Sequence, residues 1–290
     1  MLGLWSKITQ RRIWERIFRE RLSEPAHLNL LSIFVALFGS TQSKIYFDLL
    51  LRQSTAFGLL QAAEAAKREG VREVVAVEFG VAAGAGLINM CHLAERIGKA
   101  TGIKFRVVGF DSGTGMPAPQ DYRDHPDLYK AGDFPMGDSA ALRRSLPAFA
   151  DLIVGPVEET ARSFLSTLSS QSRLGFVAID VDYYSSTMAA FDVLRGGAEK
   201  YLRQVLIYLD DVQDFAHNPW MGELLAVADF NSQNEFRKIA PYTFLRERRL
   251  FKRAVWINQM YGLYVLDHEG ISPRSDEPAV LLANPYLKRS

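Results

Sequence analysis

Four aspartates stand in two short clusters, Ile179-Asp180-Val181-Asp182 and Leu209-Asp210-Asp211, each closing an apolar run. If the two runs are neighbouring strands of a parallel sheet, their carboxylates open on one crevice. Like charges so close are costly unless a cation neutralises them, and an all-oxygen donor set favours Mg²⁺ over zinc or copper. Alternation along an extended chain puts Asp180 and Asp182 on one face and turns Asp210 and Asp211 apart. A regular strand therefore brings in one of the latter pair, and a bend brings in both. Solvated turn aspartates are the alternative reading. His217, just beyond the second cluster, and His125, in a long loop, are the histidines within chain reach of the crevice as general bases.

A second constellation is the run Val77-Glu78-Phe79-Gly80-Val81-Ala82-Ala83-Gly84-Ala85-Gly86. Its form is a strand, a glycine turn and then a helix, in which backbone must pass close to a ligand. The spacing Gly80-x-x-x-Gly84-x-Gly86 is shared with short-chain dehydrogenases, which bind NAD(P) there. Those enzymes also need a Tyr-x-x-x-Lys pair, and none of the 11 tyrosines has lysine four positions on. An acidic Glu78 also suits a cationic or hydroxyl-rich ligand better than a diphosphate. Asp111 ends the next strand, where a carboxylate can take two hydrogen bonds from a ribose diol.

These residues need a scaffold that holds strand ends side by side. Short apolar runs alternate with helical patterns from Val71 onward, the signature of a parallel sheet covered on both faces. Strands are expected at Val74 to Phe79, Phe105 to Phe110, Leu152 to Val154, Phe176 to Asp180 and Val205 to Leu209. Phe244 to Ile257 and Tyr261 to Leu266 read as two more, joined so tightly by Asn258-Gln259-Met260 that the last must run antiparallel. The fold class is α/β, a Rossmann-like seven-stranded sheet with one antiparallel strand, preceded by a helical extension over residues 1–70. The sheet domain is expected over residues 71–270, followed by a tail over 271–290. Helical spacing is clearest over Thr55 to Arg68 and Leu87 to Ile97.

The loop from Ser112 to Asp138 holds four prolines and four glycines among aromatic and charged residues. It exceeds the roughly 12 to 15 residues usual for a connection without structure of its own, and is expected to be a substrate lid. Residues Met1 to Leu22 set Lys7, Arg11, Arg12, Arg16, Arg19 and Arg21 among apolar residues, a basic amphipathic helix. It is expected to pack on the domain or on a second subunit of a homo-oligomer, with peripheral membrane contact as the alternative. The apolar stretch from Leu28 to Phe38 is well short of the roughly 20 residues that span a bilayer, and no cleavable leader is legible. The composition, 48% hydrophobic and 23% charged with a formal charge of +1 over 290 residues, is that of a globular chain and argues against nucleic acid as partner. Cys91 is the single cysteine, which excludes an internal disulfide and fits a cytoplasmic setting.

The segments Val77 to Val81, Gly109-Phe110-Asp111-Ser112-x-x-Gly115-Met116-Pro117, Ile179-Asp180-Val181-Asp182-Tyr183-Tyr184-Ser185-Ser186-Thr187 and Leu209-Asp210-Asp211 resemble the macrocin O-methyltransferase (TylF-like) family of class I methyltransferases. The resemblance runs over roughly Phe47 to Asn231 and touches Gly155-x-Val157-x-x-Thr160. It implies a Mg²⁺-dependent methyl transfer from S-adenosyl-L-methionine to a hydroxyl of a sugar or other small acceptor. Glu78, Gly80, Ala82, Gly84 and Gly86 would lie toward the cofactor's methionine end. Asp111 and Ser112 would meet its ribose, Val157 would lie near the adenine, and Asp180 would complete the site. Asp182, Asp210 and Asp211 match the family's metal-binding aspartates, and Asp182 or His217 would take the proton. A nicotinamide oxidoreductase and a non-catalytic, membrane-associated binding protein are the readings that compete with it.

Overall fold

The computed structural model describes residues 17–213 and 216–271. In chain order its helices are α1 (Ala26–Phe38), α2 (Thr41–Tyr46), α3 (Gln53–Glu69), α4 (Ala85–Thr101), α5 (Ser139–Ser145), α6 (Val157–Leu165), α7 (Tyr184–Ala190), α8 (Gly222–Gln233) and α9 (Leu245–Arg248). The strands are β1 (Glu73–Phe79), β2 (Lys104–Asp111), β3 (Ala150–Val154), β4 (Ser172–Ile179), β5 (Tyr201–Leu209), β6 (Arg237–Pro241) and β7 (Met260–Val265). They form one sheet in the order β3-β2-β1-β4-β5-β7-β6. Strands β1 to β5 are parallel, and β7 runs antiparallel to both its neighbours. This is the expected Rossmann-like seven-stranded sheet.

Alternation along β1 divides the core into two layers. Val74 and Ala76 face the layer holding Leu59, Ala63, Leu87 and Met90 of α3 and α4. Val75, Val77 and Phe79 face the layer with Phe164, Phe191 and Phe230. Because both faces are covered, β1 is apolar from Val74 onward except for one buried acid, Glu78, which stands out. Close approach of α3 to the sheet needs Gly58, since a Cβ there would lie 2.2 Å from the Phe176 ring. Chain connections leave β1 toward β2 on one side and β4 on the other, so a crevice opens at the C-terminal ends of β1, β2 and β4.

One expectation fails. Residues 244 to 257 are no strand: β6 lies earlier, at Arg237–Pro241, and residues 242–259 make α9 and a 3₁₀ turn, Val255–Gln259, before β7. Phe251, Ala254, Trp256 and Ile257 are buried, but at a spacing no strand could satisfy. A buried Arg249 fixes this connection by donating to the carbonyls of Ile45 and Tyr46 and, at 2.7 Å, to Asp48. The antiparallel direction expected of the last strand is found, by this longer route.

The basic segment expected as a helix over Met1 to Leu22 lies outside the described residues up to position 16. Its remainder, Ile17–Leu22, forms a π-helical turn whose Arg21 sits 4.0 Å over the Phe251 ring and donates to the carbonyl of Phe47. The tail from residue 272 also lies outside the described residues. No helix among the described residues is long and apolar enough to cross a membrane.

Candidate functional site

At the end of β1 the chain turns through Gly80, at φ +86°, where a Cβ would lie 1.7 Å from the Asp180 carbonyl oxygen. Any side chain there collides with the end of β4, so glycine is obligatory. The turn is held by Asp111, whose carboxylate accepts from the Ala82 amide at 2.8 Å and from the Gly113 amide at 2.7 Å. One carboxylate thus ties the glycine loop of β1 to the loop that follows β2. Ser112 donates its hydroxyl to the Gly115 carbonyl and continues the same turn.

A cavity of about 450 Å³ opens above these loops. Of the residues expected at the cofactor, Gly80, Ala82, Asp111, Ser112, Val157 and Asp180 line it, and Glu78, Gly84 and Gly86 do not. The reason is packing of α4. A Cβ on Gly84 would meet Leu142, and one on Gly86 would lie 1.9 Å from a Glu78 carboxylate oxygen. These glycines admit neighbours from within the protein rather than a ligand. Glu78 is 4% exposed, and its Oε1 lies 3.9 Å from Arg52. Burial pushes its pKa up to about 8, against the opposing pull of Arg52.

The acidic wall lies across the cavity. Asp180, Asp210 and Asp211 each offer a carboxylate oxygen, all within 4.8 Å of one another. Asp182, expected among the metal ligands, is displaced from this trio by Asp180. Strand β4 ends at Ile179, and Asp182 adopts φ +57°, so the alternation of an extended chain does not carry to it. Asp182 lines the cavity and is hydrogen-bonded to Asp211. Asp210 and Asp211 both enter because β5 ends at Leu209 and the chain bends there. Asp210 accepts from the Tyr208 hydroxyl and from Gln259 Nε2 at 3.2 Å.

Burial, then Asp182, raises the Asp211 pKa to about 9; burial, then Asp210 and Asp182, raises that of Asp180 to about 7. With Glu78, three carboxyls hold their protons more tightly in the folded chain than in the unfolded one, where they titrate near about 4. The folded state therefore binds more protons from about pH 4 up to about pH 9, and stability falls as pH rises through that window. In EDTA, the melting temperature should drop from pH 5 to pH 9; a flat or rising profile would contradict the cluster.

His217 is brought to this cluster, with Nε2 3.5 Å from Asp211 Oδ1, but it is not on the cavity wall. Its ring packs edge-on to that of His125 at 5.3 Å, and burial, then His217, lowers the pKa of His125. Two residues beyond the sequence reading complete the surroundings. Glu223, buried at the start of α8, accepts from the Asp211 amide at 3.1 Å, and burial raises its pKa well above the carboxylate range. Gly222, at φ +54°, allows this approach, since a Cβ would lie 2.6 Å from His125 Nε2. An acid in the first turn of a helix is ordinary, so Glu223 carried no signal.

The long loop of 112–138 folds over the cavity, with Met116, Pro117, Tyr129, Asp133 and Phe134 on its wall. Its anchor is Asp124, 1% exposed, which accepts from the Ser185 amide at 2.8 Å, the Ser185 hydroxyl at 2.9 Å and the Gln120 amide at 2.9 Å. Asp124→Ala should cost at least about 4 kcal/mol, for three lost bonds to a charged group at about 1.5–3 kcal/mol each. Amides of the loop should exchange faster with solvent, and unchanged exchange there would refute the anchoring role.

A second cavity, of about 480 Å³, shares Asp210 with the first. Its wall includes Arg19, Arg52, Gln53, Tyr208, Trp256 and Gln259. Asp210 thus borders two spaces, one walled by aspartates, two glycine turns and apolar side chains, the other lined by hydrogen-bonding groups.

No family model and no curated protein matches this chain. Among solved structures it is similar to the calicheamicin methyltransferase CalS11, at 24% identity and a TM-score of 0.44 over 59% of this chain and 70% of that one. It is also similar to the O-methyltransferase NovP, at 19% identity and a TM-score of 0.47 over 62% of this chain and 72% of that one. A third likeness, to the plantazolicin methyltransferase BpumL, has 11% identity and a TM-score of 0.31 over 82% of this chain and 97% of that one.

Proposed function

We propose that this protein is an S-adenosylmethionine-dependent O-methyltransferase that uses a divalent cation of the Mg²⁺ type. The observation that carries the reading is one cavity with Asp111, tied to the glycine loop, on one wall and three converging carboxylates on the other. Both groups suit their places. The cavity is within the roughly 300–1,000 Å³ of small-molecule sites, and Asp111 uses two of its roughly four lone-pair positions on backbone amides, leaving two for a ribose diol. Asp180, Asp210 and Asp211 form an all-oxygen donor set, and Asp211 Oδ2 is buried without a hydrogen-bond partner.

When bound, the cofactor supplies an electrophilic sulfonium methyl, and the cation supplies positive charge that acidifies a nearby hydroxyl. The chain's own residues do the rest. Gly80, Ala82, Ser112 and Val157 shape the cofactor's seat, and Phe110, Met116, Pro117 and Phe134 exclude water from it. Asp180, Asp210 and Asp211 would hold the cation, and the hydrogen bonds from Tyr208 and Gln259 fix Asp210. The second cavity receives the body of the acceptor, whose reacting hydroxyl reaches past Asp210 into the first. Asp182, on the cavity wall, would take the proton of the acceptor hydroxyl. His217 acts as a positioning residue for Asp211.

The test is transfer of labelled methyl from S-adenosylmethionine to a panel of sugar, nucleotide-sugar and phenolic hydroxyls. Label should appear as an O-methyl ether, vanish with EDTA and return with Mg²⁺. Transfer that EDTA leaves untouched would remove the cation from the reading, and transfer to nitrogen or sulfur alone would remove the hydroxyl.

A further inference from the structure

Helix α1 has a sequence that belongs in an apolar medium and a position that leaves it in water. Residues 25–43 contain no Asp, Glu, Lys or Arg. Of the helix's side chains only Ser32 is buried, while Leu30 (69% exposed), Ile33 (63%), Phe34 (62%), Leu37 (69%) and Phe38 (73%) face outward. A helix that is apolar on nearly every side is normally buried in a core or in lipid, and soluble proteins rarely show so contiguous a patch. At 13 residues it is about 20 Å long, short of the roughly 30 Å of a bilayer's hydrocarbon core. It can lie on a membrane but not span one.

What precedes α1 states which surface it meets. Lys7, Arg11, Arg12, Arg16, Arg19 and Arg21 stand against Glu15, Glu20 and Glu24. Arg21, lodged on Phe251, accepts at its carbonyl from Asn29 of α1 at 2.9 Å, and Glu24 accepts from the amides of Lys252 and Arg253. The base of the helix is therefore fixed to the domain, and the basic stretch is its immediate neighbour in the chain. Positive charge beside an exposed apolar helix is complementary to anionic headgroups over acyl chains; a second copy of the chain would bring the same positive charge against itself.

We infer that α1, with the basic segment before it, docks this protein on an anionic lipid surface. Only three residues separate α1 from the turn whose Arg19 lines the second cavity, so docking holds that cavity near the membrane. The inference is independent of the methyl-transfer reading.

The experiment is co-sedimentation of the full chain with vesicles of phosphatidylcholine alone and of phosphatidylcholine with phosphatidylglycerol, alongside sedimentation velocity without lipid. Binding is expected to the anionic vesicles, weakened by salt. It should be lost in Leu30→Asp/Phe34→Asp/Leu37→Asp, with the folded state of that variant checked by near-ultraviolet circular dichroism. Arg11→Gln/Arg12→Gln/Arg16→Gln leaves α1 intact and should weaken partitioning about a hundredfold, at roughly fivefold per charge. A chain that stays in the supernatant with anionic vesicles overturns the inference. So does a dimer without lipid that the α1 variant dissolves, which would make a second copy the occupant.

Discussion

Asp211→Asn should lower turnover about a thousandfold, some 4 kcal/mol of charge stabilisation at the reacting oxygen, while the Kd for S-adenosylhomocysteine stays within about threefold. The separation of the two effects follows from position. Asp211 stands with Asp180 and Asp210 on the wall opposite Asp111, so its loss would remove one of the proposed cation ligands and leave the glycine loop as it was. The same variant should melt no lower than the parent in EDTA at pH 8, because an amide no longer contributes a carboxyl that burial and Asp182 hold protonated up to about 9. Turnover down with stability kept is the signature of a functional strain, and a variant that keeps its turnover would exclude Asp211 from the site.

Asp111→Ala should do the reverse, weakening cofactor binding by at least about a hundredfold. Two charge-assisted hydrogen bonds, at about 1.5–3 kcal/mol each, hold the glycine loop through Ala82 and the lid's first turn through Gly113. Without them both loops lose their common anchor, and the ribose loses its acceptor. Asp111→Asn keeps one acceptor oxygen and should fall between. Calorimetric Kd values for the three proteins check the order, and equal affinities would show that Asp111 is a turn residue only.

The sheet was legible because strands buried on both faces leave unbroken apolar runs ending in glycine or aspartate, as in Val74 to Phe79 and Val205 to Leu209. Spacing alone could not tell which glycines face a ligand. Gly80 meets the cavity, whereas Gly84 and Gly86 make room for Leu142 and Glu78, and all three read alike in one dimension. Asp182 stands outside the trio of Asp180, Asp210 and Asp211 because its left-handed backbone breaks the alternation that would put it beside Asp180. The run from Phe244 to Ile257 reads as a strand because its apolar residues are dense. Its Trp256 instead packs against Arg249, whose partners Ile45, Tyr46 and Asp48 are some 200 residues away in the chain. Glu223 and His125 reach the acidic cluster only through the tertiary fold.

The most direct measurement is a calorimetric titration of the metal-free protein with S-adenosylhomocysteine and, separately, with NADH. The expected result is one equivalent of S-adenosylhomocysteine bound, with that heat lost in Asp111→Ala, and no heat from NADH. Heat from NADH with none from S-adenosylhomocysteine would contradict the assignment and turn the glycine loop into a nicotinamide site.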